Sequence, residues 1–258
     1  VIGSADGTVA FWQRDGADSH LLSTQNNDSG LTMVDVSPDG QLIAISSLDN
    51  TVTLWDSAGN LLETLQHSQE IWSVAFSADG RSLATGGAEG EITLWTSKGQ
   101  RLDSWAAHVG PINSLDFSPD GTMLITAGND YITKVWQLQR EWMQALEGHA
   151  GSVESVQFSA DSNTVVSGSE NGELWLWDAT GGSPALKQTV SSTIYDVNLS
   201  SDEEKIALAN GDGEIQILNK AGDSLETIEA HSEAVRSVSF SPDGNNLASA
   251  SSDGTVKL

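Results

Sequence analysis

Four of the five histidines, His67, His108, His149 and His231, stand in one register, each nine residues before a phenylalanine, namely Phe76, Phe117, Phe158 and Phe240. A histidine placed beside a hydroxyl and a carboxylate can generate a serine nucleophile, so hydrolysis is the first chemistry to weigh. Recurrence argues against it. A catalytic cluster stands apart from the framework, whereas these histidines come back in unit after unit. Two acidic runs, Asp202-Glu203-Glu204 and Asn210-Gly211-Asp212-Gly213-Glu214, raise a second possibility, a bound cation. Neither has the spacing of an EF-hand loop, and Asn, Asp and Gly are the residues that tight turns require. The sequence has no cysteine, hence no thiolate ligand, cysteine nucleophile or disulfide. A Gly-rich phosphate loop ending in Lys-Ser/Thr is also missing. The expectation is no catalytic residues, no metal and no cofactor.

The elements that hold these residues are set by an internal repeat. GSADGTVAFW, SSLDNTVTLW, GGAEGEITLW, AGNDYITKVW, GSENGELWLW, ANGDGEIQIL and ASSDGTVKL share one template, and the first five end at Trp12, Trp55, Trp95, Trp136 and Trp177. Successive spacings are 43, 40, 41 and 41, with 41 more to Leu218. That is the period of a four-stranded propeller blade. The seventh unit shows the parts: AVRSVSF, a Ser-Pro-Asp-Gly turn, NNLASAS, a turn at Asp253-Gly254, and TVKL, with stretches such as GNLLETLQ and GDSLETIE as fourth strands. The strands are lettered a to d in chain order. No stretch keeps a helical period, so the fold class is all-β.

The template resembles WD40 repeats along essentially the whole chain. It has Gly-His or Ala-His before strand a, Phe-Ser-Pro-Asp-Gly after it, Leu-Ala-Ser or Leu-Ala-Thr in strand b, Asp-Gly before c and a closing Trp, with literal Trp-Asp pairs at Trp55-Asp56 and Trp177-Asp178. The turns are also similar to bacterial arrays that form the sensing end of signalling NTPases, so a longer multidomain signalling protein is a family-level expectation. The resemblance implies one WD40 β-propeller domain over 1–258. Seven blades of four antiparallel strands are expected, in segments of about 1–25, 29–66, 70–106, 110–147, 151–190, 193–229 and 233–258, with the first and last incomplete. Flanking strands outside this window would close the ring, or the chain is a segment of a longer tandem array.

The resemblance also gives the histidines a structural role, in a hydrogen-bonded tetrad of His, Ser or Thr, Asp and Trp. The fourth repeat has all four in His108, Thr126, Asp130 and Trp136; the seventh has His231, Ser249 and Asp253. The third has His67, Thr85 and Trp95 with Glu89 in place of Asp, and the fifth has His149, Ser167 and Trp177 with Asn171. A tetrad ending on an indole N–H, a donor only, suits a buried polar network. The repeat-register tryptophans read as framework, Trp105 as core, and Trp142 and Trp175 as outer-edge contacts.

The formal charge of −25, from 36 acidic and 11 basic residues, opposes a phosphate backbone, so nucleic acid is not an expected partner. No apolar run has membrane-spanning length, and no basic leader opens the sequence; no membrane association and a cytoplasmic location are expected. Function then rests on positions that the repeat leaves free. Four residues before the end of strand a stand Thr32, Trp72, Asn113, Glu154, Tyr195 and Arg236; just before the b–c turn residue stand Ala5, Leu48, Ala88, Asn129, Glu170, Gly211 and Ser252. The resemblance implies that both sets face a protein partner, on the edge carrying the d–a and b–c loops. Trp, Tyr and Arg carry most interface energy, which puts Trp72, Tyr195 and Arg236 first. Packing at the mouth of the central channel is the alternative for Trp72 and Tyr195. The reading is a protein-interaction scaffold or sensor module, not an enzyme; a small-molecule or glycan-binding propeller is the alternative.

Overall fold

The structure is a computed structural model that describes residues 2–4, 6–15, 18–26, 29–138 and 142–258, and their side chains except at 2–3, 11–15, 18–26 and 142. Ala5 and the side chains of Trp12 and Trp142 therefore lie outside the described residues. The chain divides into two compact units, Val1–Phe117 and Ser118–Leu258.

In the first unit β1 (Ile2–Gly3), β2 (Thr8–Asp15) and β3 (Asp18–Asn26) form a three-stranded sheet. Two four-stranded meanders follow: β4 (Leu31–Val36), β5 (Leu42–Ser47), β6 (Thr51–Asp56) and β7 (Leu61–Gln66), then β8 (Ile71–Phe76), β9 (Ser82–Gly87), β10 (Glu91–Thr96) and β11 (Arg101–Ala106). The unit ends with β12 (Ile112–Phe117). The second unit opens with β13 (Met123–Gly128), β14 (Ile132–Gln137) and β15 (Trp142–Glu147). Then come β16 (Val153–Phe158), β17 (Thr164–Ser169), β18 (Glu173–Asp178) and β19 (Leu186–Thr189), and β20 (Ile194–Leu199), β21 (Lys205–Asn210), β22 (Glu214–Asn219) and β23 (Ser224–Glu229). The three-stranded β24 (Val235–Phe240), β25 (Leu247–Ser251) and β26 (Val256–Lys257) close the chain.

The expected count of seven blades is corrected to six. Blades led by an a strand start at β4, β8, β12, β16, β20 and β24; the last of them has three strands, and the piece ahead of them, β1–β3, has no a strand among the described residues. The reason lies in what is counted, the seven segments that run through the b–c turn and strand c. The first of them, GSADGTVAFW, has none of the strand-a markers ahead of it.

Strand b is buried on both faces, as in β9, where Leu83 and Ala84 are fully enclosed. Its small residues make room for the next blade: a Cβ on Gly86 would lie 2.7 Å from Ile112 Cγ2, and one on Gly168 2.5 Å from Ile194 Cγ2. Each enclosed Leu, Ile or Val contributes about 1.5–3 kcal/mol. Strand d is the outer edge. Register shifts opposite Trp55, Trp95 and Leu218 leave Leu62, Leu102 and Leu225 as extra, exposed residues, and such bulges blunt an edge against pairing with another chain.

Strand a is the inner edge, and its unpaired N–H groups are met by side chains of the preceding blade. Leu115 N donates to Ser73 Oγ (3.0 Å), Val197 N to Ser155 Oγ (3.2 Å) and Val238 N to Asp196 Oδ2 (2.9 Å). Two residues further along, Phe76 N donates to Asp35 (2.7 Å), Leu199 N to Gln157 (2.7 Å) and Phe240 N to Asn198 (2.8 Å). Buried backbone donors need such partners. These two rungs fix the register of neighbouring a strands, and with it the residues beside them.

A candidate protein-binding rim

Each tetrad centre is a hydroxyl on strand b. In the fifth repeat Ser167 Oγ lies 2.7 Å from His149 Nε2 and accepts the Trp177 indole N–H at 2.9 Å. The carboxylate comes from Glu173, 3.2 Å from His149 Nδ1, and not from the Asn171 position; Asn171 accepts the Ser169 hydroxyl instead. Burial pushes the His149 imidazole pKa down. In the seventh repeat His231 reaches Ser249 Oγ (2.8 Å) through Nε2 and Asp253 Oδ2 (3.0 Å) through Nδ1. The hydroxyl of Thr255, then its backbone N–H and His231, hold the Asp253 carboxyl far below the usual carboxylate range.

The third repeat is different. Trp95 donates to Thr85 Oγ1 at 3.2 Å, but His67 Nε2 is buried with no hydrogen-bond partner, and desolvation followed by repulsion from Arg101 lowers its pKa to about 4. Gln69 enters the space beside Gly87 and accepts the Glu89 N–H. In the fourth repeat His108 is buried, Trp136 donates to Thr126 (3.0 Å) and Asp130 lies 3.8 Å from Lys134 Nζ. The Trp55 indole is met by Thr53 on its own strand, at 2.9 Å.

Trp175 is corrected: it is 5% exposed and no outer-edge contact. Its ring stacks on His149 (centroids 4.3 Å, planes 18° apart) and Lys187 Nζ caps the other side at 4.3 Å. Where other repeats put Thr53 or Thr93, the longer side chain folds inward over the histidine. Trp105 is half-buried. The acidic runs are turns. Asp202 accepts the Ser200 hydroxyl and the Glu204 N–H, and Asn210 Oδ1 accepts the N–H groups of Asp212 and Glu214, both at 3.0 Å. Among the described residues no group of three or more His, Asp and Glu is placed to hold a metal.

In the second unit the variable positions converge. Strands β16, β20 and β24 carry Glu154, Tyr195 and Arg236 at matching places, and the Arg236 guanidinium lies 4.1 Å above the Tyr195 ring. Its Nε donates to Ser252 Oγ at 2.8 Å, so a b–c position and two a positions form one feature. Burial pushes the Glu154 carboxyl up, with Glu170 adding repulsion while the Ser152 hydroxyl and Arg236 work the other way. Ser152 ties the loops together: its hydroxyl donates to Asn129 Oδ1 and its N–H to Glu170 Oε1 (3.1 Å), and Thr193 Oγ1 donates to the Glu170 carbonyl (2.7 Å).

In the first unit Trp72 and Asn113 are half-buried and Leu48 is 43% exposed. Thr32 is exposed yet engaged: its hydroxyl donates to the Ile71 carbonyl at 2.6 Å and lies 2.8 Å from Ser46 Oγ. It belongs to the joint between blades. The Trp72 indole N–H reaches Glu70 Oε2 only at 3.4 Å.

Sequence reasoning missed four residues. Glu173 and Gln69 stand outside the template positions, and the sole hint of them is the missing aspartate where Asn171 and Glu89 stand. Asp196 is the third: enclosed between a strands, it accepts the hydroxyls of Ser155 (2.9 Å) and Ser237 (3.0 Å) besides Val238 N, and burial raises its pKa. The fourth, Tyr131, has a visible signal. It takes the b–c turn place where the other repeats have Gly or Asn.

The profile of the WD domain, G-beta repeat, matches residues 19–56, 59–96, 99–137, 140–178 and 222–258. Between the last two matches lies the repeat with Tyr195 and Asp196, which lacks both the His and the Trp. No curated protein matches the chain in sequence. Among solved structures it is similar to a chain of "Crystal Structure of Mitotic Checkpoint Complex", with a TM-score of 0.90 and 20% identity over 98% of this chain and 84% of that one. Matching solved chains number 1919, so likeness of fold does not single out a partner.

Proposed function

The chain belongs to the WD40 family, and from that premise we propose that it is a protein-interaction scaffold whose partner docks on the rim formed by the d–a and b–c loops. The observation that carries this is the Tyr195–Arg236 pair. An aromatic ring and a guanidinium are stacked at 4.1 Å on adjacent a strands, in and beside the repeat where the family signature is weakest. Rigid aromatic and arginine side chains bury area at small entropic cost, which is what an interface anchor needs. The proposed partner is a protein rather than a nucleic acid, because a formal charge of −25 repels phosphates. The His–Ser pairs are assigned to the framework: Ser167 Oγ is already shared between an imidazole and an indole.

The test compares proteins retained from an extract of the source organism by the immobilised parent chain and by its Tyr195→Ala and Arg236→Ala variants. A partner that docks here is lost by about 30-fold in affinity, while the thermal midpoint stays near that of the parent. Undiminished retention by both variants removes this rim from consideration.

A further inference from the structure

Three arginines have described side chains, and two of them face the protein's own acids. Arg81 Nε lies 4.0 Å from Asp79 Oδ2, and Arg101 Nη2 lies 3.4 Å from Glu91 Oε1. Arg236 is different. Although the chain has 36 acidic residues, no carboxylate among the described residues lies within 4.0 Å of this guanidinium. The side chain is nevertheless held in place. The Tyr195 ring supports it at 4.1 Å, and Ser252 Oγ takes its Nε–H at 2.8 Å. Backbone bonds fix both supports: Ser252 N donates to the Ala234 carbonyl, and Gly211 N to the carbonyl of Thr193 two residues before Tyr195, each at 3.0 Å. A Cβ on Gly211 would stand 3.7 Å from Tyr195 Cε2, so the b–c turn lies against the ring.

A guanidinium stacks through its face and donates through its edges, so the stack leaves its N–H groups available. With Nε–H given to Ser252, the side-on pair of Nε and one Nη is closed. Among the described residues neither Nη makes a hydrogen bond, and Arg236 is exposed. The end-on pair therefore remains, two parallel N–H groups that match the two oxygens of one carboxylate. The surroundings set how much charge that group can carry. Burial is the main reason the Glu154 carboxyl is raised, Glu170 adds to it, and Arg236 acts on Glu154 from beyond ion-pair distance. With these acids near and a formal charge of −25, a phosphate dianion or a run of acids meets repulsion that a single carboxylate in contact with the fork overcomes. A partner laid across several loops brings a side chain here rather than a chain end. We infer that Arg236 is the subsite for one acidic side chain, Asp or Glu, of a docked protein, whose carboxylate takes Nη1 and Nη2 together. The inference rests on the scaffold reading above and deepens it by naming the group on the partner.

The experiment measures, at physiological salt, the capture of four degenerate nonapeptide libraries by the immobilised parent chain. Three have amidated ends and a fixed central Glu, Gln or phosphoserine; the fourth has a central Gln and a free C-terminal carboxylate. The variants are Arg236→Gln, which removes the charge, and Arg236→Lys, which keeps the charge without the fork. Expected is about tenfold more central-Glu than central-Gln peptide on the parent. The Glu library should fall about tenfold on Arg236→Gln and about fivefold on Arg236→Lys, with thermal midpoints within about 3 °C of the parent. The inference is overturned by equal capture of Glu and Gln peptides by the parent, by a Glu preference that either variant keeps in full, or by stronger capture of the phosphoserine or free-ended library. Failure here is distinguishable from failure of the scaffold reading. If Tyr195→Ala and Arg236→Ala lose the natural partner while the libraries show no Glu preference, only this inference falls. If both retain the partner while Arg236→Gln loses the Glu peptides, the docking of that partner on this rim falls and the carboxylate subsite stands.

Discussion

Carboxylates occur in two regions of this protein under opposite conditions. In the Ser-x-Asp turns after strand a, the hydroxyls of Ser37, Ser77, Ser118, Ser159, Ser200 and Ser241 donate to Asp39, Asp79, Asp120, Asp161, Asp202 and Asp243. All six aspartates face solvent, and the serine hydroxyl is the main reason their pKa values are lowered. On strands β4, β16 and β20, Asp35, Glu154 and Asp196 accept N–H and O–H groups too, yet burial raises all three, Asp35 to about 6. Desolvation outweighs hydrogen bonding there. The contrast teaches where the repeat ends as an explanation. Turn aspartates are one local module copied in each unit, whereas strand-a polar groups differ from blade to blade, being Ser73, Ser155 and Asp196 at one rung and Asp35, Gln157 and Asn198 at the other.

The sharpest break of this comparison is at Asp196. Asp196→Ala leaves Val238 N and two serine hydroxyls without their acceptor, a loss of about 3 kcal/mol by urea denaturation. Asp196→Asn keeps an acceptor and sheds the buried charge, so at neutral pH its stability should equal or exceed the parent's. The pH dependence follows from the sign of the shift. A carboxyl raised on folding adds stability that is fully present below its unfolded pKa near 3.8 and is lost as pH rises through the folded value, about 6 for Asp35. Acidification from neutral pH towards pH 5 should therefore stabilise the parent through Asp35, by about 1 kcal/mol. Asp35→Asn should remove that increment from the urea midpoint. Identical pH slopes for parent and variant would falsify the buried-charge account.

The turn side of the comparison predicts a smaller effect of opposite pH sign. Ser118→Ala removes the bond to Asp120 and the acceptor of Met123 N (2.9 Å), for about 1–2 kcal/mol at neutral pH. Asp120 is lowered on folding, so its contribution is present above the unfolded pKa and lost as pH falls through the folded one. The deficit of Ser118→Ala should narrow below about pH 4. A constant deficit across that range would mean that the hydroxyl acts only through Met123.

How much of this was legible in the sequence depends on whether a residue's partner lies within its own repeat. The strand periodicity, the Ser-Pro-Asp-Gly turns and the small strand-b residues follow one template, and so the all-β WD40 assignment could be read directly. The blade count was misread, because seven strand-c segments were counted and the first of them has no a strand ahead of it among the described residues. Trp175 was misplaced since only the fold shows that His149 lies beneath it. Glu173 was missed because a carboxylate two residues from the template position reaches the same histidine. Thr32 shows the limit on the site side: a position without framework chemistry in most repeats is engaged here by the next blade. Tyr131 was readable as a departure from Gly, but its left-handed φ of 68° and its exposure belong to the structure.

The smallest effect tests whether departures inside the turn module are also links between blades. The turn ends in the left-handed region at Gly40, Gly80, Gly121 and Gly244, and in two repeats that place is taken by Ser162 (φ 62°) and Glu203 (φ 58°). Both reach the preceding turn, Ser162 Oγ accepting Asp120 N at 3.3 Å and Glu203 Oε1 accepting Asp161 N at 3.1 Å. Glu203 also pairs with Lys220 at 2.9 Å, whose side chain is 50% exposed. Glu203→Gly relieves a left-handed strain of about 1 kcal/mol, loses the bond from Asp161 N, about 0.5–1 kcal/mol, and a partly exposed ion pair of at most about 1 kcal/mol, and frees the unfolded chain at a cost of about 0.5 kcal/mol. The net change at low salt should be a loss of about 1 kcal/mol. Salt separates the contributions, because screening weakens only the Lys220 pair. The variant should therefore gain on the parent by a few tenths of a kcal/mol between low and molar salt, as read from paired urea midpoints. If the difference between the two proteins does not move with salt, Glu203 acts through Asp161 N alone and the charge it carries is incidental.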